Sequence, residues 1–351
     1  ARRVSCAVRC FFFQAEDGIR DLVRSRGLGD VYKRQALNGL LDIELSVPNP
    51  SELLEFWQRR GMVRTADGVV GTADRPVQLR IAEGGYRHMS ELHMSCATEH
   101  DLADIAGRIG EMGVTSAING TRLTCTDPVF QHRVVIDVTA PHPLTPAQSR
   151  AWNHAGTQER LNARADAVAE ARPRAPRRLG HIVLGTPHFQ KATAFYFDGL
   201  GFKVSDQFLQ GVATFGRIES DHHNLLIQPA PTSYINHYAV EMDDIDAIGQ
   251  AGQAVLAERP DANVVGVGRH FLGSNVFWYL TDPAGTMFEL FSDIDQIVDD
   301  EAWERDHCRR DWMGSDGPAP ISVWGPPEPE TFLNPADLPV IGAAREALGL
   351  D

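Results

Sequence analysis

The chain has 351 residues, 43% of them hydrophobic and 23% charged, which is typical of a folded protein of two domains or one large one. Its net charge of −14 argues against anionic partners, so we expect neither nucleic acid nor a membrane surface to bind it. No apolar run approaches the ~20 residues of a membrane helix. Five cysteines without a zinc or disulfide pattern predict a reducing cytoplasm.

Residues 1–36 differ from the rest of the chain. Cys10 is followed by three phenylalanines and then by a polar stretch that has neither the layout of a signal peptide nor a clear hydrophobic period. The stretch looks like translated sequencing-adapter read-through, a leader foreign to the native protein. The alternative is a genuine N-terminal arm. In either case we assign it no function.

Residues 37–141 show the same order of elements twice. A strand at Leu40–Val47 precedes a helix at Ser51–Arg60, and a strand at Ser90–Met94 precedes a helix at Glu99–Met112. Short strands are predicted after these helices, at Val69–Gly71, Val77–Ile81, Thr121–Cys125 and Arg133–Val138. We expect this part of the chain to form one domain.

Residues 142–178 are predicted to be a linker with a helix over Gln158–Arg172, because the middle of this stretch is rich in Ala and Arg. The earlier pattern then restarts over residues 179–296. Its strands are predicted at Leu179–Thr186, Phe202–Val204, Val212–Arg217, Asn224–Ile227, Ile235–Glu241, Val276–Leu280 and Met287–Phe291, and its helices at Phe189–Leu200 and Asp243–Arg259. Gly266–Gly268 is interpreted as a turn. Residues 297–351, rich in Trp and Pro, are predicted to cover the site or a subunit contact.

The two halves of the chain repeat each other. Asp42, Pro48 and Trp57 match His181, Pro187 and Tyr196 at a constant offset. We further align Leu92 and His93 with Asn236 and His237, and Asp127 with Asp282. The sequence therefore predicts an α+β fold of four βαβββ modules, paired into two similar domains.

A possible metal site is distributed over the strands of the second half. His181 and His237 lie in the first strands of two modules, and Glu289 lies in the last strand. A carboxylate inside an apolar strand is costly unless it is exposed, paired or bound to a metal. Each residue alone has an ordinary structural explanation. Together they supply the two imidazoles and one carboxylate that bind Fe(II) and leave positions open for substrate and O2.

Four segments of the second half carry a family resemblance. They are LGHIVLGT, NHYAVEM, the Asp221–Asn224 segment DHHN, and FWYLTDPAGTMFELF. They resemble the vicinal oxygen chelate superfamily, and within it the type I extradiol ring-cleavage dioxygenases. The spacing of His270, Tyr279 and Glu289 matches the family pattern and is its most diagnostic element. The resemblance covers roughly residues 38–335.

The resemblance implies that each domain is an open mixed β-barrel flanked by helices and that only the second domain holds a metal. The metal would be Fe(II), with Mn(II) as an alternative. Its implied ligands are His181, His237 and Glu289, the acid–base residue is His223, and His270 and Tyr279 line the substrate side. His222 is left as either catalytic or structural. Asp42, His93 and Asp137 of the first domain would be a structural remnant.

The implied activity is extradiol, or meta, cleavage of a catecholic ring with both atoms of O2, in aromatic degradation, by a cytoplasmic homo-oligomer. Two rivals remain: a glyoxalase-like isomerase or epimerase, which relies on further carboxylate ligands, and a metal-free small-molecule-binding protein of the bleomycin-resistance kind. No basic residue stands out as a carboxylate clamp, which favours a neutral catechol. Its size, whether monocyclic, chain-bearing or biaryl, stays open. The pocket wall is predicted from Val183, Leu225, Ala239 and Phe277.

Overall fold

A computed structural model of the chain describes residues 36–148, 150–170, 173–208, 213–308 and 321–350. The interpretation of residues 1–36 as a foreign leader therefore lies outside the described residues, apart from Ala36. No described helix is both long enough and apolar enough to span a bilayer.

The first sheet is built from two modules. The first contains β1 (Leu37–Val47), α1 (Pro50–Arg59), β2 (Val63–Ala66), β3 (Val69–Gly71) and β4 (Leu79–Glu83). The second contains β5 (His88–Cys96), α2 (Glu99–Glu111), β6 (Ser116–Asn119), β7 (Arg122–Thr126) and β8 (Arg133–Val138). Thr98 begins α2 by accepting a hydrogen bond from the amide of Asp101. The strand order is β2-β3-β4-β1-β5-β8-β7-β6, an open sheet with the two modules side by side.

The linker does not form the helix predicted over Gln158–Arg172. It contains a small hairpin of β9 (Asn153–His154) and β10 (Thr157–Gln158), and among its described residues only the short α3 (Asp166–Ala169) is helical. Two side chains stabilise the hairpin. Asn153 accepts a hydrogen bond from the amide of Arg160 at 2.8 Å, and Glu159 accepts one from the amide of Trp152 at 3.0 Å. A short segment without a buried apolar face gains too little from helix formation to compete with these bonds.

The second sheet repeats the first. Its modules contain β11 (Arg178–Thr186), α4 (Phe189–Thr193), β12 (Lys203–Phe208), β13 (Ala213–Arg217) and β14 (Leu225–Pro229), then β15 (Tyr234–Glu241), α5 (Ile245–Glu258), β16 (Asn263–His270), β17 (Val276–Thr281) and β18 (Met287–Ser292). A π-helical turn at Ala194–Leu200 extends α4. The tail adds α6 (Asp300–Asp306), β19 (Ser322–Trp324), α7 (Glu330–Leu333) and α8 (Leu338–Ala347).

The described strands of the second sheet follow the order β12-β13-β14-β11-β15-β18-β17-β16-β19, which matches the first sheet except for β19 from the tail. The prediction of an α+β fold with paired βαβββ modules in open mixed sheets is confirmed. The predicted turn at Gly266–Gly268 is wrong, because these residues lie within β16 at an irregularity of its pairing with β17. Gly266 has φ +144°, and a Cβ atom there would fall 2.7 Å from the Trp278 ring.

The registers of the two sheets correct one detail of the repeat. β1 pairs Leu45 with Met89 as β11 pairs Leu184 with Ile235. Glu91 therefore stands where the second sheet has His237, and His93 stands where it has Ala239. The alignment of His93 with His237 is wrong by two residues. Two residues are one period of a strand, so the sequence pattern still placed the side chain on the correct face.

An ion-pair network occupies that face of the first sheet. His93 bonds Asp42 through Nδ1 and Asp137 through Nε2, both at 2.9 Å. Arg80 bonds Asp42 at 2.7 Å, and Arg122 bonds both oxygens of Asp137 at 2.7 Å. Burial lowers the pKa of His93, but its bonds to the two carboxylates outweigh burial, so this pKa is raised. The two arginines neutralise the charges of Asp42 and Asp137, which would otherwise attract a metal ion.

Reciprocal aromatic contacts join the two halves. Trp57 on α1 donates to the Tyr238 hydroxyl at 3.2 Å, and that hydroxyl donates to Asp282 at 2.8 Å. In the opposite direction, the hydroxyl of Tyr196, which matches Trp57 in the repeat, bonds Nε2 of His132 at 3.0 Å. Each half therefore inserts a helix side chain into the core of the other.

We predict that replacing His93 with Gln destabilises the protein in a pH-dependent way. The pKa of His93 is higher in the folded than in the unfolded chain, so its stabilisation is fully present below the unfolded pKa, about 6.5. It is lost as the pH rises through the folded pKa. At pH 6 the variant should lose roughly 1.5–3 kcal/mol of unfolding free energy, the range for bonds to charged groups. The loss should shrink by pH 9, as measured by urea denaturation. The exposed His154→Gln is the control, and a pH-independent difference would contradict this account.

Candidate active site

Three of the predicted site residues meet on one face of the second sheet. His181 lies on β11, His237 on β15 and Glu289 on β18, and these three strands are neighbours. One ligand atom from each residue lies within 4.8 Å of the others. All three residues are buried, with Glu289 fully inaccessible. The structure therefore brings together the residues that the sequence predicted as metal ligands.

Neighbouring amides orient two of these ligands. Nδ1 of His237 donates to Oδ1 of Asn236 at 2.7 Å, which leaves the lone pair of Nε2 facing Glu289 at 3.5 Å. Asn275 donates to Oε1 of Glu289 at 2.8 Å, so Oε2 is the oxygen that faces the imidazoles. Oε2 lies 2.9 Å from Nε2 of His181. Hydrogen bonds of this kind commonly hold metal ligands in their tautomer and orientation.

The donor set fits a divalent metal ion. Nε2 of His237 is a buried polar atom without a hydrogen-bond partner among the described residues, although it points at a carboxylate. Burial lowers the pKa of His237 to about 4, so its imidazole is neutral at pH 7. Burial raises the pKa of Glu289, but the imidazoles around it outweigh burial and hold that pKa well below its usual range. Neutral imidazoles and an ionised carboxylate are the forms that bind a metal.

The other three predicted residues surround this cluster. The His223 ring lies 4.3 Å from the His181 ring, and the Tyr279 ring lies 5.0 Å from the His237 ring. Nε2 of His270 and the Tyr279 hydroxyl share a hydrogen bond of 2.8 Å. Burial lowers the pKa of His223 and raises that of Tyr279 well above its ordinary value. Near pH 7, then, the first is a neutral imidazole and the second a protonated phenol.

The tail contacts both sides of the cluster. The Phe332 ring lies 4.8 Å from the Tyr279 ring, and the Phe332 carbonyl accepts from Asn236 at 3.0 Å. On the other side, the Trp303 ring lies 5.5 Å from the His222 ring. Described parts of the tail thus pack against residues on both sides of the cluster, and its role as a cover stays a prediction.

Sequence reasoning missed several supporting residues and misplaced one. Asn236 and Asn275 orient ligands, and Asp206 bonds His222 at 2.7 Å. Adjacency to His237 could have drawn attention to Asn236. Asn275 and Asp206 act through space and carry no signal in the sequence. Leu225, expected in the pocket wall, packs in the main hydrophobic core instead.

Comparisons with known proteins agree with this geometry. The family model of the Glyoxalase/Bleomycin resistance protein/Dioxygenase superfamily matches residues 178–290. The chain is 30% identical over 311 residues to Metapyrocatechase 2 of Cupriavidus necator, covering 86% of this chain and 92% of that relative. It is 30% identical over 155 residues to Biphenyl-2,3-diol 1,2-dioxygenase of Paraburkholderia xenovorans, covering 42% of this chain and 47% of that relative.

Two solved structures share the fold. Homoprotocatechuate 2,3-dioxygenase from Arthrobacter globiformis superposes with a TM-score of 0.66 at 16% identity, covering 87% of this chain and 92% of that one. A halotolerant catechol dioxygenase superposes with a TM-score of 0.63 at 18% identity, covering 86% and 98%.

Fold and family model together define a protein of the vicinal oxygen chelate class. The long match to Metapyrocatechase 2 is more specific, and by it the chain belongs to the extradiol ring-cleavage dioxygenases of that superfamily. This membership makes the chain an enzyme with a catalytic metal and separates it from both rivals, the isomerase or epimerase and the metal-free binding protein.

We predict that Gly273→Ala destabilises the region beside His222 and His223. Gly273 has φ +87°, and a Cβ atom there would lie 3.1 Å from Nδ1 of His222 and 3.3 Å from Cε1 of His223. Gly113→Ala is a matched control, because Gly113 has φ +78° and nothing within 4 Å of its Cβ position. The control should lose roughly 1 kcal/mol from backbone strain alone. Gly273→Ala should lose about 1–3 kcal/mol more from crowding. Equal losses in urea denaturation would contradict the close approach.

Proposed function

We propose that the chain catalyses Fe(II)-dependent extradiol cleavage of a catecholic ring with both atoms of O2, in the degradation of aromatic compounds. The observation that carries this proposal is the buried convergence of His181, His237 and Glu289 within 4.8 Å. Two imidazoles and one carboxylate leave coordination positions open, as a metal needs when it must take both a substrate and O2. Mn(II) accepts the same donor set and is the alternative metal.

In this proposal His181, His237 and Glu289 hold the metal. When bound, Fe(II) would lower the pKa of the catechol hydroxyls and bring substrate and O2 together. Asn236 and Asn275 keep two of the ligands in their binding orientation through bonds of 2.7 and 2.8 Å. The burial of all three ligands excludes water from the site.

His223, Tyr279 and His270 transfer protons or donate hydrogen bonds in this proposal. His223 is neutral in its buried place, so it accepts a proton from a catechol hydroxyl and returns it to an oxygen atom as the ring opens. Tyr279 keeps its proton and donates a hydrogen bond to an oxygen that gains negative charge. His270 orients the Tyr279 hydroxyl through their 2.8 Å bond, and its own ring is stacked on Phe277 at 4.0 Å.

The surroundings favour a neutral catechol. The rings of Phe215, Phe291 and Phe332 lie against the site histidines. In the described part of the chain, no lysine or arginine pairs with the six site residues. The nearby charge on the substrate side is negative: Glu328, held by Ser322 at 2.7 Å, acts electrostatically on both His270 and Tyr279. A carboxylate on the substrate would meet repulsion there.

We further propose a cytoplasmic homo-oligomer. Cys96 and Cys125 are buried and free, which suits a reducing compartment. Among the described strands, β19 ends the second sheet and exposes Val323 and Trp324. An apolar strand edge of this kind favours contact with a second copy.

The activity is tested with the purified protein, loaded anaerobically with Fe(II) and then exposed to air with a panel of catechols of graded size. We expect one O2 to be consumed for each catechol and a yellow ring-cleaved product to form. Neutral catechols should react with higher kcat/KM than carboxylated ones. Absence of oxygen uptake across the whole panel would refute the proposal.

The metal assignment is tested by metal content after desalting, measured by mass spectrometry. His181→Ala and Glu289→Gln should each weaken metal binding by more than about 100-fold, because each removes a ligand rather than its support. Asp42→Ala changes the position of the first sheet that matches His181 and should keep one metal per chain. One metal per chain in either ligand variant would contradict the assignment.

A further inference from the structure

A buried chain of side chains leads to His223 from β12. Oδ2 of Asp206 lies 2.7 Å from Nε2 of His222, and Nδ1 of His222 lies 3.0 Å from Nδ1 of His223. All three residues are at least 96% buried. A carboxylate is therefore linked to the proposed acid–base residue through one imidazole.

The donors in this chain follow from its first member. An ionised carboxylate only accepts hydrogen bonds, so Nε2 of His222 carries the proton that Asp206 accepts. When His222 carries only this proton, its lone pair is on Nδ1, and Nδ1 of His223 donates to it. The lone pair of His223 is left on Nε2. No described residue bonds that atom, so it is free to take a proton from a substrate.

The surrounding residues fix both imidazoles. The backbone amide of His222 donates to the Asp295 carbonyl at 2.8 Å, and the Phe215 ring lies 5.6 and 5.1 Å from the rings of His222 and His223. Gly273 approaches the bond between the two imidazoles so closely that a Cβ atom there would lie 3.1 Å from Nδ1 of His222. The bond to Asp206 and the bond between the two rings set the orientation of both imidazoles.

We propose that Asp206, acting through His222, is a positioning residue that holds His223 in the tautomer with its proton on Nδ1 and its Nε2 facing the substrate. This inference rests on the proposed function of His223. It assigns His222 a role between Asp206 and His223, and it adds Asp206 to the site residues, which the sequence analysis did not predict.

The first test reads the tautomer directly. The metal-free protein is labelled with ¹⁵N in its histidine rings and studied by NMR at pH 8, where imidazoles are ordinarily neutral. His223→Ala assigns the resonances by their loss. The His223 proton should reside on Nδ1 in the wild type and shift toward Nε2 in Asp206→Leu. A wild-type proton on Nε2 would overturn the proposal, even if the variant fails to fold.

The second test is kinetic. With metal content unchanged, Asp206→Leu should lower kcat by about 10- to 1000-fold and leave KM within about twofold, since general acid–base catalysis contributes about 10²–10⁴-fold. Asp42→Leu is the matched control, because it removes the carboxylate of the Asp42–His93 pair, at 2.9 Å, from the first sheet. Its kcat should not change.

An unchanged kcat in Asp206→Leu would overturn the proposal. If the wild type cleaves no catechol, the proposed function fails, while the NMR test of the tautomer still stands.

Discussion

A fully buried carboxylate in the middle of an apolar strand is the constraint on which the second half of the chain depends. Removing an ion from water costs several kcal/mol, so both oxygens of Glu289 need partners. Asn275 satisfies one oxygen, and the other faces His181 and His237. These histidines precede Glu289 by 108 and 52 residues (289 − 181 and 289 − 237). Two copies of one module are what place such distant residues on adjacent strands.

Polar side chains surround this carboxylate in successive shells. The amides of Asn236 and Asn275 fix the ligands, and two further pairs, His222 with His223 and His270 with Tyr279, lie beyond them. The tail then contacts the outer residues through Trp303 and Phe332. Buried networks in which the members are bonded are rigid, and a rigid site loses little free energy to reorganisation during the reaction. The sheet positions the site residues, and described parts of the tail pack against them.

Much of this could be predicted from the sequence, because alternation and turn residues report local structure. Most strands of the modules and their four helices were predicted in this way. The roles of His223, His270 and Tyr279 came instead from the family resemblance. The rest depended on information that is not local. The linker at Gln158 has the composition of a helix but no core to pack against. Alternation cannot distinguish His93 from Glu91 as the match of His237, since both lie on one face of β5. Asn275 and Asp206 matter through contacts that only the folded chain creates.

The reciprocal packing of the halves has a consequence for the strand that carries Glu289. Phe56 and Trp57, from the half without a His–His–Glu cluster, pack edge-on against Phe288 at 5.6 and 5.2 Å. Phe288 precedes Glu289 in β18 and points to the opposite side of the strand. The first half therefore packs against the side of β18 that faces away from Glu289. Ion pairs occupy its own sheet, and its helix supports the strand of the second half that carries Glu289.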